Sequence, residues 1–546
     1  MNRPLLARVA GIALLLFAQA APFGAAAAPA AAFAAALGRL PDAGYADKAE
    51  IVAALAASGE PRSLRVLQAM LDGRLFVRTR DGAIVVAAGE ADPMPIAAAA
   101  DGAAFGAEPK SGLARIGINN ALRAKLRAAI ARLSLGSAEA ATRLAAVRQL
   151  TENADADSTT LLESAAAHEQ DARVRAAMQV AIALWQVHDT DAARRRAAVR
   201  TLEGSLLPEA RNALSALIGK NADGTYAEAD PEVRVAAEIA LRRIASRLAA
   251  YGAVETIFFG LSLGFVLVLA AIGLAITFGV MGVINMAHGE MMMLGAYTTY
   301  VVQQLMPNHP AISLPLAVPA AFVVTAIVGV MIERGIVRFL YGRPLETLLA
   351  TFGVSLFLQQ LVRSVFSANN RPVTTPGWMS GSLEINPALS LTFNRLYIVA
   401  FSILVFAALL LLLKRTTLGL QVRAVAQNRA MARAMGVRSD WVDAVTFGLG
   451  SGVAGVAGVA LSQLTNVGPN LGQSYIIDSF MVVVFGGVGN LWGTLVAGLT
   501  LGVANKVIEP YAGAVLAKIV VLVFIILFIQ RRPRGLFPQK GRAAEA

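Results

Sequence analysis

The chain of 546 residues has no cysteine. Disulfide frameworks, thiolate metal sites and thiol catalysis are excluded together, and stability must come from packing. Charge is scarce as well: Asp, Glu, Lys and Arg make up 15% of the residues, and Glu290 is the only charged residue between Glu255 and Glu333. Histidine is limited to His168, His188, His288 and His309, too scattered for a metal motif. His288 and Glu290 form a pair at i, i+2 without a third ligand, so no metal is expected. No Gly-x-x-x-x-Gly-Lys-Ser/Thr loop occurs, so any ATP hydrolysis must be supplied by another chain. No other pattern has catalytic form.

What is abundant is apolar. Hydrophobic residues reach 56% and the mean hydropathy is +0.59, values that point to a membrane. The average hides a division, because residues 1–250 hold 29 Lys/Arg and 26 Asp/Glu, whereas residues 251–546 hold 19 and 10. Two solvents are implied. The excess positive charge lies in the apolar half, where basic clusters set topology more often than they bind nucleic acid. No nucleic-acid partner is expected.

At the front, Arg3 and Arg8, an apolar run from Ala10 to Ala20 and the small residues Ala25–Ala28 have the layout of a secretory signal peptide over 1–28. Residues 29–250 would then form an extracytoplasmic domain. From about Leu40 to Leu248 the pattern is of Ala-rich amphipathic helices. Arg143-Leu-Ala-Ala-Val-Arg-Gln-Leu150 recurs as Arg195-Arg-Ala-Ala-Val-Arg-Thr-Leu202, and Val174-Arg175 recurs as Val233-Arg234, each preceded by a capping aspartate, Asp171 or Asp230. These resemble HEAT-type helical pairs. Arg74–Thr79 and Ala83–Ala87 around Arg80-Asp81-Gly82 predict a small hairpin. Residues 88–112, rich in Gly, Ala, Pro and Asp, read as a loose linker. A docking or lid surface and a plain assembly spacer remain open as roles for this half.

Residues 251–537 read as a polytopic membrane domain. Spans are expected near 257–283, 286–306, 312–332, 345–366, 396–413, 441–463 and 512–530, with about seven to nine in total. Arg334, Arg338 and Arg343, the six basic residues from Lys414 to Arg438, and the tail up to Arg542 should all face the cytoplasm, with 538–546 as a cytoplasmic tail. Counting spans back from them puts the first half outside. Residues 474–508 must then cross twice or not at all, and Gly486-Gly487-Val488-Gly489-Asn490 predicts a broken element there. The fold class is therefore all-α: a helical domain followed by a polytopic helical membrane domain with broken or re-entrant helices.

Polar residues at membrane depth are costly unless they serve a purpose. Asn285, His288 and Glu290 interrupt two apolar segments, and either fix a helix break or face a small polar solute. Asp478 caps a short segment or lines a pathway, and Asn490 lies in the second break. Residues 416–436 predict one short surface helix ending at Gly436, with Gln421, Arg423, Asn428, Arg429 and Arg433 along it. It suits a partner's cleft or an arginine-anchored position in membrane lipid.

Three segments carry a resemblance: Gly279-Val-Met-Gly-Val-Ile-Asn-Met-Ala-His-Gly-Glu-Met-Met-Met-Leu-Gly-Ala-Tyr297, Leu418 to Gly436, and Val484-Phe-Gly-Gly-Val-Gly-Asn-Leu-Trp-Gly493. Together, over about residues 255–537, the chain is similar to the membrane permeases of the branched-chain amino acid ABC importer family. The long extension ahead of them resembles the urea-type branch. The resemblance implies a transporter subunit of the bacterial inner membrane, itself no enzyme and without a bound cofactor, taking up urea. A second permease subunit, two cytoplasmic ATPase subunits carrying ATP and a periplasmic solute-binding protein would be its partners. It also implies that 416–436 grips an ATPase, with Asn428, Arg429 and Gly436 foremost. A permease for branched-chain amino acids or short amides, and a passive or ion-coupled channel, are the alternatives.

Overall fold

The computed structural model describes residues 27–89, 92–152 and 156–537. The expected leader, apart from its last two residues, and the expected tail 538–546 lie outside them. The chain divides into two compact units, Met1–Ser246 and Arg247–Ala546.

In the first unit, α1 (Ala27–Gly38), α2 (Tyr45–Ala57) and α3 (Arg62–Leu71) precede five short strands. These are β1 (Leu75–Arg78), β2 (Ile84–Ala87), β3 (Met94–Ala98), β4 (Ala104–Glu108) and β5 (Leu113–Arg115), arranged antiparallel in the order β4-β3-β2-β1-β5. The expected hairpin is β1–β2, with Leu75 opposite Val86. The stretch 88–112 is a correction: it supplies β3 and β4 rather than a linker. Met94, Ile96 and Ala98 are buried at every second position, a strand alternation that the surrounding Ala, Gly and Pro residues obscure. One core gathers Ile51, Leu55, Leu67, Met70, Leu75, Leu122 and Leu126.

Then follow α4 (Asn120–Ser134), α5 (Ala140–Thr151), α6 (Ala156–His168), α7 (Ala172–Gln186), α8 (Ala192–Leu202), α9 (Pro208–Leu217) and α10 (Pro231–Met281), which contains the unit boundary. The sequence repeat has a physical basis in two matching polar clamps. Arg143 on α5 donates to both oxygens of Glu169, at 2.8 Å each, and to the Ser137 and Ala138 carbonyls at 2.9 Å. Arg195 on α8 donates to both oxygens of Glu228, at 2.8 and 2.7 Å, and to the Asp189 and Thr190 carbonyls at 2.9 and 3.0 Å. Each glutamate also accepts an amide, from Asp171 or Asp230 at 2.9 Å, and those aspartates cap α7 and α10. The Arg143 guanidinium, and then the Asp171 amide, hold the Glu169 carboxyl down at about 2.

In the second unit come α11 (His288–Leu305), α12 (Pro310–Gly335), α13 (Pro344–Phe366), the hairpin β6 (Ser382–Asn386) and β7 (Leu389–Thr392), and α14 (Phe393–Arg415). They are followed by α15 (Thr417–Gln427), α16 (Arg429–Ala434), α17 (Ser439–Ser462), α18 (Leu471–Gly486) and α19 (Leu491–Arg531). Among the described residues six helices, α10, α12, α13, α14, α17 and α19, are long and apolar enough to cross a membrane. The span expected at 286–306 is α11, which is more polar and packs against α12, α17 and α18. The interior helix is α17: 94% of its apolar window is buried, against 22% for α14. It meets α11 so closely that a Cβ on Gly295 would lie 2.0 Å from the Gly455 carbonyl oxygen, and it meets α12 so closely that a Cβ on Gly455 would lie 2.2 Å from Thr325 Oγ1.

A straight helix as long as α19 would hold its ends about 60 Å apart. Yet Asn490 Nδ2, just before it, donates to the carbonyl of Phe537, just after it, at 3.2 Å. The helix therefore folds back, at Gly513 (φ 78°, ψ 161°), three residues after Pro510. Its arms, 491–512 and 514–531, form a hairpin of two helices. Hydrogen bonds between connections support alternate crossing throughout. At one end Gln303 and Thr374 exchange two bonds, and Arg371 and Val467 exchange two more. At the other, Arg429 reaches Tyr341. In each case two helices of spanning length separate the partners, as single crossings require.

Candidate functional site

The chain between α10 and α11 leaves the helix at Gly282, which has φ 68°. Non-helical backbone at membrane depth survives only where its amides find partners. Asn285 Oδ1 accepts the Ala287 amide at 3.0 Å, and Thr351 Oγ1 on α13 accepts the Met286 amide at 3.1 Å. Asn285 is 1% exposed and so fixes the break.

His288 and Glu290 stand two residues apart on α11 and face nearly opposite ways. His288 Nε2 lies 2.8 Å from the Ala270 carbonyl of α10, and its Nδ1 has no partner among the described residues. Glu290 faces α13. Its Oε1 accepts Ser355 Oγ at 2.9 Å and Gln359 Nε2 at 2.8 Å, while its Oε2 has no partner although the residue is 1% exposed. Two turns further along α11, Tyr297 stacks on Phe366 with ring centroids 4.8 Å apart, and its hydroxyl is buried without a partner.

These groups meet a feature that the hydropathy reading missed. Thr347, Thr351, Ser355, Gln359 and Arg363 follow one another at i+4 on α13. The first four are buried, and Arg363 Nη2 donates to Asn470 Oδ1 at 2.7 Å at the far end. The stripe runs about 24 Å, most of the thickness of a bilayer's hydrocarbon core. Its spacing was visible, but threonine and serine barely lower the hydropathy of a span.

The other expected site residues lie elsewhere. Asp478 on α18 accepts Lys518 Nζ at 2.9 Å from the returning arm of α19, so it tethers two helices and does not join the Glu290 network. Asn490 caps α19 through the Gly493 amide at 3.1 Å and holds the tail through Phe537.

The segment 416–436 is not the single helix expected. Asn428 ends α15 and caps α16, its Oδ1 accepting the Met431 amide at 3.0 Å, and Gly436 closes α16 with φ 85°. Arg429 turns inward. Its Nη2 donates to Asp443 Oδ1 at 2.7 Å and to the Tyr341 hydroxyl oxygen, with the guanidinium 3.8 Å from the tyrosine ring centroid. Burial first, and the Asp443 charge next, push the Tyr341 hydroxyl up to about 12, so it stays neutral. Arg433 donates to Ser439 at 2.6 Å and to Asp440 at 3.1 Å, Arg423 reaches the Leu413 carbonyl, and Gln421 is half-buried. Among the residues that face outward are three large apolar ones, Leu420, Met431 and Met435, 61%, 60% and 78% exposed, beside the exposed Arg423 and Arg433. The two methionines, at i and i+4, were the sequence signal for this surface.

Residues 256–529 match the family described as "Branched-chain amino acid transport system / permease component". The chain belongs to this family of membrane permeases. The permease is 32% identical over 286 residues to the high-affinity branched-chain amino acid transport system permease protein BraD of Pseudomonas aeruginosa, covering 51% of this chain and 93% of that protein. It is 30% identical over 293 residues to LivH of Escherichia coli strain K12, covering 52% and 94%. A more distant relative is the ribose import permease protein RbsC of the same strain, 24% identical over 270 residues, covering 45% and 76%. No solved structure matches. The permease is thus a multi-pass membrane subunit of a transporter and not itself an enzyme; the family match begins after its first unit.

Proposed function

We propose that this permease imports branched-chain amino acids as the membrane subunit of an ABC importer. The observation that carries the reading is the stripe from Thr347 to Arg363, buried as far as Gln359, with the open oxygen of Glu290 beside it, in a chain whose relatives bear that function in their names. A zwitterionic solute needs an acceptor for its ammonium and a donor for its carboxylate, and the stripe offers Glu290 and, one turn beyond Gln359, Arg363. Urea, expected from the extension ahead of the permease, becomes the second reading, since no relative above is named for it.

The partners follow: a second permease subunit, two cytoplasmic ATPase subunits that bind ATP, and a periplasmic solute-binding protein. The basic connections face the cytoplasm and the first unit, with its repeated helices, lies outside as a docking module. This chain binds no cofactor. Closure of the ATPases pushes on Leu420, Met431 and Met435. Arg429 passes the movement to Tyr341 and so to the base of α13, which carries the stripe. Copurification tests the first step: Met431→Asp with Met435→Asp should release the ATPases, and their retention would refute it. Uptake of labelled leucine, competed by isoleucine and valine but not by urea or acetamide, tests the solute; urea uptake without leucine uptake would reverse the two readings. Uptake that persists without ATP would favour a channel.

A further inference from the structure

A cavity of about 500 Å³ opens between α12, α14 and α17, away from the Glu290 stripe. Its upper end is marked by Gln463, which caps α17, and its wall descends to Leu404 on α14. Leu404 lies about 16 Å below the start of α14 at 1.5 Å per residue. The wall is apolar along that depth. At the top, however, Gln463 Oε1 is buried without a partner in a residue only 7% exposed. A buried acceptor left so is unfavourable unless something donates to it.

Two prolines shape the same wall. Pro315 and Pro319 sit inside α12 and remove two helical donors. The Ala311 carbonyl, which loses its donor to Pro315, is taken by Trp378 Nε1 at 3.2 Å. The Pro315 carbonyl loses its own i+4 donor to Pro319, so a second acceptor belongs to the cavity wall. Trp378 and Tyr397 meet edge to face at 5.1 Å beside the opening, both 44% exposed, as aromatic residues do at a membrane interface.

We infer that this cavity holds one acyl chain of a phospholipid whose ammonium headgroup donates to Gln463 Oε1. The order of chemistry matches that of the molecule: acceptors and amphipathic rings at the interface, then a narrow apolar shaft deep enough for a dozen or so methylenes. Two of the three helices that wall it are poorly covered, with 28% of the α12 window and 22% of the α14 window buried, so in a spanning chain these two meet hydrocarbon. An ammonium with N–H donors satisfies the amide oxygen; a quaternary ammonium of equal charge does not.

That difference supplies the test. The full-length chain, purified from membranes, is exchanged into detergent containing equal amounts of phosphatidylethanolamine and phosphatidylcholine of matched chains, and retained lipid is counted by native mass spectrometry. Retention of phosphatidylethanolamine over phosphatidylcholine by about tenfold is expected, the value of one charge-assisted hydrogen bond. Gln463→Leu should abolish that preference while some of both lipids remains, and Leu404→Trp, which fills the shaft, should abolish retention of both. Melting temperatures of both variants establish that they fold; should Gln463→Leu fail, Gln463→Met serves. Equal retention of the two lipids by the unaltered chain, a preference that survives loss of the glutamine, or a cavity covered by a second permease and free of lipid would overturn the assignment.

Discussion

The two units treat buried polar groups in opposite ways. In the first, Arg143–Glu169 and Arg195–Glu228 are saturated: each carboxylate takes two guanidinium bonds and a backbone amide, and each arginine also binds two carbonyls. In the second, Glu290 Oε2, His288 Nδ1 and the Tyr297 hydroxyl are buried and open. Saturation of that kind locks helices together and leaves nothing for a ligand. Open valence at membrane depth is expensive, and its persistence marks where a solute or a moving element completes the set.

The largest effect is expected where a buried ion pair sits inside the permease. Arg429→Ala leaves the Asp443 carboxylate, only 4% exposed, without its cation, and breaking such a pair costs about 3–5 kcal/mol. Uptake measured at matched membrane levels should fall by at least about thirtyfold, which is about 2 kcal/mol and so about two thirds of the lower figure felt in coupling. Uptake near that of the unaltered chain would remove Arg429 from the line between α16 and α13.

In the first unit Arg195→Ala should cost about 3 kcal/mol, the low end for a buried pair because the arginine is 15% exposed. Limited proteolysis of the membrane-bound chain reads it: cleavage should accelerate within 140–246 and not in the permease. Acid sharpens the same contrast. The Glu169 carboxyl is held at about 2 in the folded chain against 4.5 for a free one, so its contribution is complete above about pH 4.5 and is lost as pH falls toward 2. Glu169→Gln should be less stable at neutral pH and should lose that part of the acid sensitivity; an unchanged acid profile would contradict the clamp.

Smallest of all is the tether Lys518–Asp478, because the lysine is 51% exposed. Replacing both, by Lys518→Met and Asp478→Asn, should cost about 1 kcal/mol and leave uptake intact. Loss of uptake with normal folding would return Asp478 to the pathway.

How much of this was legible in the sequence follows from which signals are local. The breaks at Gly282–Glu290 and Gly486–Asn490 were readable, since glycine and polar residues interrupt apolar runs there. So were the repeats around Arg143 and Arg195, but not their meaning: Glu169 and Glu228 look like ordinary surface acids until α5 and α8 bring the arginines to them. The reversal at Gly513 depends on contacts between Asn490 and Phe537, far apart in sequence. Strands β3 and β4 were hidden by alanine and glycine, and the α13 stripe by a scale that counts threonine as nearly apolar. Arg429 was singled out through the family resemblance as an ATPase contact; that its guanidinium reaches inward to Asp443 and Tyr341 only the structure shows.

The most direct measurement compares Glu290→Gln with the unaltered chain. The amide keeps the size of the side chain and an oxygen for Ser355 and Gln359, but puts a neutral donor where the open carboxylate oxygen stood. Cells lacking the gene are complemented with either form at equal membrane levels, and labelled leucine uptake is followed at micromolar concentration. The expected result is uptake with the unaltered chain and a loss of at least about tenfold with Glu290→Gln, as befits one lost charge-assisted contact. Equal uptake by both would show that the open oxygen of Glu290 has no part in transport.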